Sequence, residues 1–350
     1  MKSREKSSTE KNPDFESLVN QLSSFSVKQR KKAIIALDRH WGEQASSFIA
    51  DRMLNDSNSF IRELSIIVLS KNHTEQIVDY LLKVLENQQE EGKIRGRAIW
   101  ALGKMDFTKA KKYTFQALND PQAAVVYWAI WAITRPHFKK KPNKKLKQIL
   151  LHSQKKELRK QAAWAMGILG DKRFSQTLLD VLNQKLHQKI QLSIIFAFRN
   201  IKDKQTIPAI RKFLNKDVNM FIRREAALAL GTIIQQKNKR KSMSKDRIKR
   251  EIEKTIEDLL YLSSEDDRYF VRRVCVEALG KIKEQRTVPK LIAFFSKERN
   301  QFVKAEILRS LGKLGDDRAL SVLRKSQNSR YRIITQSAQE ALDKITRVRT

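Results

Sequence analysis

The side chains of this sequence that could do chemistry are aromatic and cationic. Trp100, Trp131, Trp164 and Phe196 recur at intervals of 31 to 33 residues, and Tyr127 and Trp128 stand one helical turn before Trp131. Arg97, Lys104, Arg135 and Lys160 flank them. Aromatic faces beside guanidinium and ammonium groups suit recognition: cation–π contact, cover for a flat ligand, and attraction of acidic groups. A second set is cationic alone, in two runs: Lys139, Lys140, Lys141, Lys144, Lys145 and Lys147, then Lys237, Lys239, Arg240, Lys241, Lys245 and Arg247. Such runs suit a polyanion, and phosphate contacts would make its binding strongly salt-dependent.

Nothing comparable points to catalysis. His40, His73, His137, His152 and His187 are dispersed and none is followed by Glu. The sequence has no HExxH, GxSxG, P-loop or GxGxxG pattern. The acids at Glu265 to Asp267 and at Asp316 and Asp317 fall in turns between helices, where solvated caps are expected. Cys275 is the one cysteine; it excludes a disulfide scaffold and a cysteine-built zinc site. Its column also holds Ala98, Ala162 and Ala226, so a small core residue is expected there rather than a nucleophile. No catalytic residue, metal site or cofactor is expected.

What must position these groups is a repeat. IRGRAIWALGK (from Ile94), LRKQAAWAMGI (from Leu158), FIRREAALALG (from Phe221) and FVRRVCVEALG (from Phe270) follow one template. Its anchor falls at Arg30, Arg62, Arg95, Val126, Arg159, Gln191, Arg223, Arg272, Lys304 and Thr335, spaced by 31 to 33 residues except for one interval of 49. Six residues after the anchor comes Ala in eight of the ten repeats, and seven after it an apolar residue in all ten. With positions +3 and −1 the latter makes one helical stripe, which should face a core. Gly103, Gly167, Gly231, Gly280 and Gly312 occupy position +8, and Gly170 and Gly315 are placed as C-terminal caps. A second amphipathic run follows in most repeats, as in TIPAIRKFL (from Thr206) and TVPKLIAFF (from Thr287), with the proline in the first turn. Only 10 Gly and 6 Pro in 350 residues leave little punctuation for strands and turns.

Each unit therefore reads as a helical hairpin unable to bury its own apolar face. About ten of them stacked predict an all-α fold, an α-solenoid or α-α superhelix. The expected organisation is a disordered tail over residues 1–14 and one solenoid over 15–350, carrying a basic insertion at 237–250. These motifs resemble the HEAT-like repeat of the phycobilisome lyase type, a VRxxAAxALG helix followed by an IPxLxxLL helix, over about residues 25 to 345. AAWAMG (Ala162 to Gly167) and AIWALG (Ala98 to Gly103) look like the tryptophan-bearing helices of phycobilin lyases. That resemblance implies a lyase or chaperone-like protein handling open-chain tetrapyrroles on phycobiliproteins, with a bilin as ligand. HEAT-like DNA glycosylases share the basic groove and the tryptophans, but no position here matches their carboxylate. The His-Glu pairs of the HEAT-repeat hydroxylase are missing.

The net charge of +34 is uneven. Residues 1–100 hold 16 Lys and Arg against 14 Asp and Glu. Pro136 to Lys160 has ten basic residues and one acid, and Lys237 to Arg250 has eight and one. Both runs follow the first helix of their repeat and precede the second. They should share one edge of a solenoid, about 24 to 30 Å apart if layers are about 8 to 10 Å thick. They are either solvated loops or a polyanion contact. Position +5, which holds the tryptophans, lies opposite the core stripe at 100° per residue. Those rings either pack against a neighbouring repeat or form a strip for a partner: Trp100, Tyr127, Trp128, Trp131, Trp164 and Phe196. The expected function is a non-catalytic scaffold recognising an acidic protein or nucleic acid. The longest uncharged apolar stretch, Ala123 to Ile133, is too short to span a bilayer, and MKSREKSSTEKNPD lacks the apolar core of a signal peptide. No membrane insertion and a cytoplasmic location are expected.

Overall fold

The computed structural model describes residues 14–138, 142–184, 186–235 and 245–347, and every regular element among them is helical. The expected tail therefore lies outside the described residues up to position 13, and Asp14 already caps the first helix. The chain divides into two compact units, Met1–Leu146 and Lys147–Thr350. The first contains α1 (Phe15–Gln21), α2 (Val27–Trp41), α3 (Ser46–Asn55), α4 (Ser59–Leu69), α5 (Glu75–Glu86), α6 (Gly92–Leu102), α7 (Thr108–Gln116) and α8 (Ala123–Ala132). The division falls inside α9 (Asn143–His152). The second contains α10 (Lys156–Leu169), α11 (Ser175–Leu182), α12 (Gln188–Ile201), α13 (Ile207–Arg211), α14 (Met220–Gln235) and α15 (Lys245–Glu265), then α16 (Tyr269–Ile282), α17 (Val288–Lys297), α18 (Gln301–Leu314), α19 (Leu320–Ser326) and α20 (Arg332–Arg347). None of the described helices is long and apolar enough to cross a membrane.

Side-chain caps set the starts. Ser26, Asn58, Thr74 and Asn300 each accept from a backbone N–H in the first turn that follows. Gly170 and Gly315 end α10 and α18 in the left-handed region at φ 63° and 70°, as their spacing predicts. Lys202 and Lys283 do the same without glycine, at φ 56° and 60°. Pro208 and Pro289 fall in the first turns of α13 and α17.

In the first unit α2, α4, α6 and α8 stack on one another in turn, and in the second α10, α12, α14, α16, α18 and α20 do so. Shorter helices pack beside them, α5 on α6 and α19 on α20. Each unit is thus an α-solenoid of helical hairpins. The predicted stripe is its core: Leu37, Leu102, Met166, Leu230 and Leu311 at +7 are all fully buried. The small columns interlock between successive repeats. A Cβ added to Gly312 would lie 2.6 Å from Ala341 Cα, and one on Gly231 2.7 Å from Ala278 Cα. The +8 glycine of one hairpin seats the +6 alanine of the next, at a separation only a missing side chain permits.

The anchor residues tie hairpins together. Arg30 donates through Nε and Nη2 to Asp56 at 2.8 and 2.9 Å, and through Nη1 to the Ser24 carbonyl at 2.7 Å. Arg62 pairs with Glu90, Arg95 with Asp120, Arg223 with Asp266 and Arg272 with Glu298, each through two nitrogens. Four of the acids stand six residues before the next anchor, and Glu90 five. The expectation of solvated caps fails for Asp266, which is 2% exposed and takes both Arg223 and the Arg268 backbone N–H. Its neighbours Glu265 and Asp267 are exposed. Asp316 is a cap as expected, accepting from the Arg318 N–H at 2.9 Å.

The 49-residue interval has a partial explanation. Residues 236–244 lie outside the described residues, and from Lys245 the chain belongs to α15, whose 21 residues pack along α16.

Candidate interaction surface

The uncharged sequence AAVVYWAIWA makes α8, and a close approach to α6 decides where its rings go. Gly96 admits them: a Cβ there would meet both the Ala124 carbonyl oxygen and Trp128 Cδ1 at 2.9 Å. Trp100 of α6 then lies 6.4 Å from Trp128 and 6.5 Å from Trp131, centroid to centroid. Trp128 stands edge-on to Trp131 at 5.9 Å and to Tyr127 at 5.3 Å. Four of the six expected strip residues form one cluster, each half-buried.

Cations cover it. The Arg97 guanidinium sits 5.2 Å from the Trp100 ring and 5.3 Å from that of Trp128. The Arg135 guanidinium lies 4.1 Å over Trp131, and Lys104 Nζ 4.8 Å over Trp100. Arg97 is fixed from below by Glu63, whose Oε1 accepts from Nε at 3.1 Å and from Nη2 at 2.8 Å. Burial pulls the Glu63 carboxyl upward, but hydrogen bonds and charge from Lys93 and Arg97 hold it below the ordinary glutamate value. Burial, then the neighbouring Lys71 charge, pushes the Lys104 ammonium below its usual range. Lys104 donates to Ser70 Oγ at 3.2 Å and has no carboxylate in ion-pair contact among the described residues. The surface is an aromatic floor under three cations, of which, among the described residues, only Arg97 has an acidic partner.

Trp164 and Phe196 belong to the second unit, in α10 and α12, and are half-buried there. Arg199 lies 5.2 Å over the Phe196 ring and pairs with Glu225 at 2.9 Å. Burial pushes the Glu225 carboxyl above its ordinary value. Lys160 is held by Glu157.

Of the expected polyanion contacts, Lys139, Lys140, Lys141, Lys237, Lys239, Arg240 and Lys241 lie outside the described residues, as does the side chain of Lys245. Lys144 is exposed on α9, with Lys145 and Lys147 half-buried, and Arg247 is exposed on α15. The second run belongs to the second unit, and the first straddles the division, with Lys147 opening the second unit.

Among the described residues no three His, Cys, Asp or Glu side chains converge to hold a metal ion. Cys275 is fully buried in α16, and burial pushes its thiol far above the ordinary range, which leaves no nucleophilic thiolate.

Sequence reasoning missed a second aromatic row. Phe221 and Phe270 stack at 6.1 Å with 17° between their planes, and Tyr269 meets Phe302 at 6.3 Å. Phe221, Tyr269 and Phe302 are exposed. The signal was present two residues before the anchor, where Phe60, Phe221, Phe270 and Phe302 recur.

Residues 78–167, 175–242 and 256–343 match the sequence family described as HEAT repeats. That match does not reach the finer phycobilisome lyase type. No curated protein sequence matches the chain. Among solved structures, an engineered protein from the Northeast Structural Genomics Consortium is similar over 95% of this chain and 98% of its own, at 19% identity and TM-score 0.51. Human deoxyhypusine hydroxylase in complex with glycerol aligns over 96% of this chain and 97% of its own, at 15% identity. Its TM-score of 0.33 carries no inference.

Proposed function

Because the chain belongs to the HEAT-repeat family, we propose that it is a non-catalytic recognition scaffold holding an acidic partner, protein or nucleic acid, against the Trp100–Trp128–Trp131 cluster. The observation that carries this is the pairing of a half-buried aromatic floor with Lys104 and Arg135, cations that lie over the rings and make no ion pair with an acid among the described residues. Acidic groups of a partner would supply the missing counter-charge, and the rings would exclude water from the contact. Lys144 of α9 and Arg247, both exposed, would add the long-range attraction of a polyanion.

Tryptophan fluorescence of the full chain, titrated with duplex DNA, single-stranded RNA and polyglutamate between about 50 and 200 mM salt, tests this. Trp131→Ala combined with Arg135→Gln should weaken binding about tenfold or more, the scale of removing one charge-assisted hydrogen bond together with ring burial. Circular dichroism of the variant checks that the helices persist. Unchanged affinity in a folded variant would sink the reading. Co-expression with a bilin and an acceptor phycobiliprotein is the parallel arm: half-buried rings under guanidinium groups also suit a flat ligand with propionates. A coloured complex abolished by Trp131→Ala would move the assignment to bilin handling.

A further inference from the structure

The tie between hairpins has a telling exception at the last junction. Where cation and acid are both kept, they meet and neutralise each other beside the groove between repeats. Where the anchor is Gln191, the acid six before the next anchor, Asp217, is left exposed. The ninth repeat shows the converse. Its anchor is the cation Lys304, but the position that holds Asp56 or Asp266 elsewhere holds Ser329.

The groove there has a volume of about 290 Å³. Four cations line it, Arg299, Lys304, Lys325 and Arg330, and no carboxylate does. The nearest acid of the template, Glu298, is already taken by both forks of Arg272. Lys304 Nζ rests 5.1 Å from the Phe295 ring, and Arg330 stacks 4.8 Å over Tyr331 while donating to its hydroxyl at 2.8 Å. The floor is apolar and buried, with Ile334 beneath and Ser326 Oγ turned to the Val322 carbonyl. The corresponding groove between the first two repeats contains Asp56, bound to Arg30, in the place of Ser329.

We propose that this groove, between α17, α18 and the turn before α20, is a binding site for a phosphate monoester. Four cations with no carboxylate among the described residues that line the groove favour a dianion over a single carboxylate. The anchor is Lys rather than Arg, a point charge suited to a tetrahedral oxyanion rather than a planar fork for a carboxylate. The Ser329 and Tyr331 hydroxyls add neutral donors at the rim. The volume sits at the lower edge of ligand pockets, roughly 300 Å³, so it admits a phosphate with a small group attached. This site uses different residues, in the other unit, and does not rest on the acidic-partner reading.

The test is calorimetric titration of the full chain with inorganic phosphate, O-phosphoserine and adenosine 5′-monophosphate, against succinate as the carboxylate control. A saturable site that takes the phosphate compounds and not succinate is expected. Which of them binds tightest separates a phosphorylated side chain from a nucleotide as the source. Ser329→Asp restores the acid of the template, so it should cut affinity about tenfold or more while the melting temperature holds or rises. Lys304→Gln with Arg330→Gln should give a similar loss. No saturable binding by the wild type, equal binding by Ser329→Asp, or succinate binding as well as phosphate would each overturn the proposal.

Discussion

Arg223 and Asp266 illustrate what one residue pair does here. Both are buried, they meet through two hydrogen bonds, and the third guanidinium nitrogen donates to the carbonyls of Lys216 and Val218. Truncating one partner strands a buried charge, so Asp266→Ala or Arg223→Ala should cost about 3–5 kcal/mol in a urea unfolding titration. Acid should attack the same class of contact. Burial pulls the carboxyls of Glu298 and Glu63 upward, yet their Arg and Lys partners hold both below the ordinary 4.5. The unfolded chain therefore takes up these protons first as pH falls. The stability they supply is complete above about 4.5 and drains as pH passes through their lower folded values. Melting temperatures measured from pH 6 downward should fall in that window, and less steeply for Glu298→Gln. The anchor arginines were legible in the sequence as the mark of a repeat. Their acids were not, because the partner lies 25 to 43 residues away and an acid in a turn looks like a cap. Asp266 also accepts from the Arg268 backbone N–H within that turn.

For the helix, the question is how closely two of them approach. Gly231 and Gly312 lie inside α14 and α18, where alanine is the better helix former by about 1 kcal/mol. Each faces the backbone of the next hairpin's alanine, so Gly231→Ala or Gly312→Ala should lose about 1–3 kcal/mol to overpacking and lower the melting temperature despite the gain in propensity. The periodicity of the columns gave away the stripe and the small residues, since both repeat in every hairpin. The exposure of the tryptophans was harder to read. Angular arithmetic treats a helix alone and points position +5 to solvent, whereas Gly96 brings α8 onto α6 and leaves Trp100 and Trp128 covering each other. A ring's burial depends on the neighbouring hairpin, which one repeat does not encode.

Across the whole molecule charge separates from fold. The second unit holds 46 Lys and Arg against 22 Asp and Glu, and the first 26 against 16. Any polyanion binding should weaken steeply with salt, and replacing Lys144, Lys145 and Lys147 with Gln should flatten the slope by about 0.7 to 0.9 for each phosphate they neutralise. If the slope is unchanged, those lysines are solvated charge. Helix order and core were readable from the sequence, while the uncompensated charge of the groove at the last junction was not, because it comes from an acid the template has and this repeat lacks. One buried atom offers a way to watch the second unit breathe. The sole thiol, on Cys275, is sealed inside α16 and held in its unreactive form. A disulfide reagent added to the native protein would thus act as a clock, its colour appearing only as often as that unit opens, with no label to introduce and no competing site to subtract.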